Sequence, residues 1–65
     1  MKIEVNGDVL DVDARTLAEA LDMLGHGQAR VATAVNGAFV PAAARAVTQL
    51  APGDRIEVLA PMQGG

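Results

Sequence analysis

The residues of this 65-residue chain best suited to chemistry are its last two, Gly64 and Gly65, which close the segment LAPMQGG. A terminal carboxyl group has an ordinary pKa of ~3.3–3.7, so at neutral pH it is an anion and a poor electrophile. Nothing displaces oxide from it directly. The same anion can attack the α-phosphorus of a nucleotide, and the mixed anhydride so formed carries a good leaving group. Two glycines suit such an end, because a backbone without side chains threads a narrow channel and adopts conformations barred to other residues. From Ala60 to Gly65 an extended chain reaches ~20 Å at ~3.3 Å per residue. That length lets a carboxylate enter a buried site on another protein while a folded body docks outside. The expectation is a domain over residues 1–60 and a flexible tail over 61–65, with Gly65 the modified residue and Gln63 and Gly64 lying in the channel.

No other group competes with this end. His26 is the only histidine and sits between Gly25 and Gly27, with no nucleophile or ligand set near it in sequence. It reads as structural, since catalysis needs a constellation of groups. Asp8, Asp11 and Asp13 read as solvated carboxylates, because a hard cation needs more converging oxygens. The absence of cysteine removes disulfides, thiolate nucleophiles and cysteine-based metal sites. No G-x-x-x-x-G-K-[ST] loop is present to hold a nucleotide. The chain therefore reads as a co-substrate of other enzymes, with no catalytic residue, metal or cofactor of its own.

A formal charge of −3, with only five Lys and Arg in total, argues against nucleic acid as a partner. No apolar run approaches the ~20 residues of a membrane span, and no signal peptide is evident. A cytoplasmic domain, monomeric when free, is expected. Its 51% hydrophobic content includes much Ala and Val and one aromatic residue, Phe39. The core should be thin and aliphatic.

The elements that must position the tail follow from periodicity. MKIEV alternates, with Met1, Ile3 and Val5 on one face and Lys2 and Glu4 on the other, as in a half-buried strand. Asn6-Gly7 suits the positive backbone angles of a two-residue hairpin turn, and DVLDVD returns beside the first strand. The period then changes. Leu17, Ala20, Leu21 and Leu24 form one helical stripe over about nine residues, opened by a Thr16–Glu19 capping box and closed by Gly25. VATAVNGAFVP is a second hairpin on Asn36-Gly37, ended by Pro41. Residues 42–50 fit either a short helix or an extended segment packed on the sheet. Pro52-Gly53-Asp54 turns the chain into RIEVLA, a last strand with Ile56 and Val58 inward.

A lone helix and a lone hairpin each leave an apolar face uncovered. A four- or five-stranded mixed sheet with the helix on one face covers both, and the last strand then lies centrally and parallel to the first. This is an α+β fold of the β-grasp arrangement, which the resemblance described below places in the ubiquitin-like group. On the last strand Leu59 points outward with Arg55 and Glu57, and Met62 follows Pro61. Leu59, Met62, Phe39 and Arg55 are the expected partner-binding residues.

MKIEVNG, TLAEAL, AVNGAFVP and above all LAPGDRIEVLAPMQGG together resemble the ThiS family, the sulfur carriers of thiamine biosynthesis. The resemblance spans nearly the whole chain. It implies that an E1-like, ThiF-type adenylating enzyme joins the Gly65 carboxylate to AMP, using ATP and magnesium held by that enzyme. Sulfur from a donor such as a cysteine desulfurase or rhodanese system then gives a thiocarboxylate. A ThiG-type thiazole synthase receives the sulfur. Relatives commonly carry a basic residue after the Val-Pro, where this chain has Ala42, and Arg45 is a candidate substitute. A carrier for molybdopterin or another sulfur-containing product, a ubiquitin-like modifier of lysines and a plain binding module remain the alternatives.

Overall fold

A computed structural model describes residues 1–26 and 30–60. In chain order the elements are β1 (Lys2–Val5), β2 (Asp8–Asp11), α1 (Leu17–Met23), β3 (Ala32–Val35), β4 (Ala38–Val40), a 3₁₀ helix η1 (Ala42–Val47) and β5 (Arg55–Leu59). The strands form one five-stranded sheet in the order β2-β1-β5-β3-β4. Four pairings join them: β1 runs parallel to β5, whereas β1–β2, β3–β4 and β3–β5 are antiparallel. The expected β-grasp arrangement is present, with the last strand in the middle.

Both hairpins turn on Asn-Gly. Asn6 and Asn36 have φ of 50° and 52°, followed by Gly7 and Gly37 at 89° and 84°. Two consecutive left-handed residues match the right-handed twist of the flanking strands, and Asn and Gly pay least for that conformation.

Helix α1 begins as its sequence dictates. The Glu19 N–H donates to Thr16 Oγ1 at 3.2 Å, while Glu19 Oε1 accepts from the Arg15 and Thr16 N–H groups at 2.7 and 3.4 Å. The helix is seven residues rather than nine, because the chain leaves it at Leu24 and Gly25 takes φ 85°. Leu17, Ala20 and Leu21 are buried against Ile3, Val5, Val40, Ile56 and Val58 of the sheet, joined by Val12 and Ala14. Leu24 is only partly buried. The core is aliphatic throughout, and Phe39 lies outside it.

The ambiguous stretch resolves as 3₁₀ helix over 42–47, followed by an isolated bridge between Gln49 and Thr16. It packs beside α1, and none of its residues is fully buried. Alanine offers too little apolar surface to fix a longer helix there, so the tight connector serves to bring the chain from β4 to the turn before β5.

Candidate docking face at the end of the last strand

Strand β5 carries the burial alternation that its sequence announces: Arg55, Glu57 and Leu59 are exposed, Ile56 and Val58 buried. Registry determines what surrounds them. Leu59 lies opposite Ala32, Glu57 opposite Ala34, and Ala34 opposite Phe39. Side chains at paired positions share a face. The face turned away from α1 therefore places Phe39, Ala34, Ala32, Leu59 and Glu57 together. The two alanines are short, so Phe39 and Leu59 stand proud of the sheet, 70% and 64% exposed. A shallow depression between them is lined by Ala32, Thr33, Ala34, Phe39, Glu57 and Leu59.

Toward β1 the same face becomes charged. Arg55 Nε lies 3.7 Å from Glu4 Oε2, a loose exposed ion pair of small energetic value. Val9, opposite Glu4, is a third exposed apolar residue of this face, at its far edge. Of the expected partner-binding residues, the structure brings Phe39 and Leu59 together and puts Arg55 on the same face. Met62, Gln63, Gly64 and Gly65 lie outside the described residues, as does the whole 61–65 segment. Ala60 is exposed and directly follows the Leu59 end of the patch.

Arg45, the candidate substitute for a basic residue at position 42, lines one groove with Ala42 and is held against the sheet. Its Nε donates to Thr33 Oγ1 at 3.2 Å and its Nη2 to the Val31 carbonyl. Thr33 is 2% exposed and in turn donates to the Val40 carbonyl at 2.9 Å. This buried threonine locks η1 onto the sheet, and only its position between Ala32 and Ala34 hinted at an inward side chain. The alanines themselves escaped attention in the sequence because small residues announce nothing; their importance lies in what they leave uncovered.

The main-chain N–H of His26 donates to the Leu21 carbonyl at 2.8 Å, finishing the helix. Asp11 receives the terminal ammonium of Met1 at 3.1 Å, and that ammonium also donates to the Val12 carbonyl at 2.8 Å. Among the described residues no three His, Cys, Asp or Glu side chains converge as a metal site. No helix of the described residues is long and apolar enough to cross a membrane.

The model of the ThiS family matches residues 2–65, nearly the entire chain. The chain belongs to the ThiS family. A thiamine biosynthesis protein (ThiS) from Geobacter metallireducens has the same fold in its crystal structure, at 33% identity and a TM-score of 0.85, with 100% of each chain covered. An NMR solution structure of a thiamine biosynthesis protein from the same organism is 32% identical at a TM-score of 0.78, covering 100% of this chain and 88% of the other. No curated protein matches the chain. ThiS membership carries the small-carrier character expected from the residues, and the full-length likeness to the crystal structure establishes the β-grasp fold.

Proposed function

We propose that this ThiS-family chain carries sulfur for thiamine biosynthesis on the carboxyl group of Gly65. In this reading an adenylating enzyme holds ATP and magnesium, and the Gly65 carboxylate attacks the α-phosphorus with loss of pyrophosphate. The outer sulfur of a donor persulfide then displaces AMP to form an acyl disulfide. A thiol of the donor system breaks the S–S bond and is itself oxidised to a disulfide, and the thiocarboxylate so released is handed to a thiazole synthase. The exposed Phe39–Leu59 patch supports this reading, because it lies beside Ala60, where the chain runs on toward Gly65. A partner that grips the patch is thereby positioned to receive the end. Converting a free carboxylate into a bound reactant through a separate docking surface lowers the entropic cost of the chemical step.

The single observation that carries the proposal is the family match extending through Gly65. It is tested by the intact mass of the protein after incubation with the cognate adenylating enzyme, ATP and a sulfur donor. A gain equal to sulfur replacing one oxygen, mapped to Gly65 and lost on deletion of that residue, is the expected result. An unchanged mass with an enzyme known to be active refutes it.

A further inference from the structure

Around the Leu59 end of β5 runs an open groove of about 510 Å³ lined by Arg30, Val31, Ala32, Ala42, Arg45, Leu59 and Ala60. Its apolar part comes from Val31 and Ala32 at the start of β3, Leu59 and Ala60 at the end of β5 and Ala42 of η1, and it shares Ala32 and Leu59 with the patch described above. Its charged part is uniform in sign. Two of the five basic residues of a chain with net charge −3 line it, and none of the eight acidic residues does. Neither arginine has a carboxylate partner among the described residues, where the ion pairs involve Arg55 and the terminal ammonium. The Arg45 guanidinium is held in place by Thr33 Oγ1 and the Val31 carbonyl, which engages two of its five N–H donors.

We propose that this groove docks an acidic segment of the adenylating enzyme, in which an apolar side chain sits on Val31, Ala32 and Leu59 and an adjacent Asp or Glu meets Arg30 and Arg45. The inference rests on the carrier reading and extends it, because it supplies the polar half of a footprint whose apolar half is the Phe39–Leu59 patch. The occupant is specified by charge: two cations beside an apolar surface, in a protein otherwise acidic, complement a carboxylate and repel a basic segment. Arg45, oriented by its two protein contacts, forms a preset fork for a carboxylate, so less freedom is lost when the partner binds. Arg30, exposed at the start of β3, supplies steering.

The test is steady-state adenylation of the intact chain by the cognate adenylating enzyme, with carrier concentration varied. Arg30 is exposed, so Arg30→Glu leaves the fold intact, and Arg30→Lys serves as the charge-preserving control. Arg30→Glu should raise KM by ~10-fold with kcat unchanged, Arg30→Lys should stay near wild type, and added salt should raise the wild-type KM more than that of Arg30→Glu. A KM unaffected by Arg30→Glu overturns the proposal. A KM that falls overturns it in favour of a different occupant, the chain's own carboxyl-terminal segment, released by the substitution. If the wild-type chain is itself not adenylated, the carrier reading fails and the groove proposal falls with it; turnover of wild type with no effect of Arg30→Glu removes the groove alone.

Discussion

The side-chain amide of Asn6 brackets Val58, 52 residues away: its Nδ2 donates to the Val58 carbonyl at 3.1 Å and its Oδ1 accepts from the Val58 N–H at 2.9 Å. The hairpin turn residue thus imitates a strand residue and extends the β1–β5 pairing past its last backbone partner. Asn36 holds the other end of β5 through one backbone bond and one side-chain bond. Its Oδ1 accepts from the Arg55 N–H and its Nδ2 donates to Asp54 Oδ1, both at 3.0 Å. Each Asn-Gly turn therefore both closes its own hairpin and fastens the central strand.

Asn6→Ala should lower stability by about 2–4 kcal/mol, the sum of two lost hydrogen bonds and the strain of a Cβ-bearing residue without Asn's tolerance for positive φ. Asn6→Gly removes the bonds and keeps the backbone freedom, so its loss should be smaller, about 1–2 kcal/mol. Urea denaturation of the two variants separates the contributions. Equal midpoints for Asn6→Ala and wild type would show that the clamp contributes nothing.

Loss of the helix cap should be measurable in so small a domain. Thr16→Ala removes the acceptor for the Glu19 N–H and should cost about 1 kcal/mol. The thermal midpoint is the readout. Thr16→Ser, which keeps the hydroxyl, should restore most of the difference.

Thr33 links three elements through one hydroxyl. Thr33→Val preserves its shape but leaves the Arg45 Nε without its acceptor and removes the donor to the Val40 carbonyl. The expected loss is about 1–3 kcal/mol in chemical denaturation, with Thr33→Ser recovering much of it. A neutral Thr33→Val would mean that Arg45 finds an equivalent partner.

These contacts also show where sequence reading stops. The Asn-Gly turns, the Thr16–Glu19 box and the alternation of RIEVL were legible because each depends on residues within a few positions of one another. The central place of the last strand, parallel to the first, followed from the need of one helix and two hairpins to cover one another. The second task of Asn6 and Asn36 was not legible. Asparagine is already favoured at those turn positions, so its bonds to β5 leave no separate mark. Residues 42–47 stayed ambiguous because an alanine-rich run satisfies several backbones equally well. At the candidate site, the outward direction of Leu59 was readable from alternation. Its closeness to Phe39 was not, since that depends on the registers of β3 with both β4 and β5.

Substitution of the exposed patch should separate binding from folding. Leu59→Asp and Phe39→Ser remove surface residues and should leave the denaturation midpoint near wild type. In adenylation by the cognate enzyme each should raise KM; loss of a central apolar anchor costs about 2 kcal/mol, roughly 30-fold in affinity. A KM unaltered by both substitutions would place the docking surface elsewhere.

The place of β5 between β1 and β3 bears on how the protein comes into being on the ribosome. Of the described strands it is synthesised last, yet it is the plank to which the two hairpins are nailed. A nascent chain interrupted before Arg55 owns two separate ribbons with no strand between them, and neither ribbon alone is stable in water. Maturation is therefore abrupt, with premature products left open to proteases.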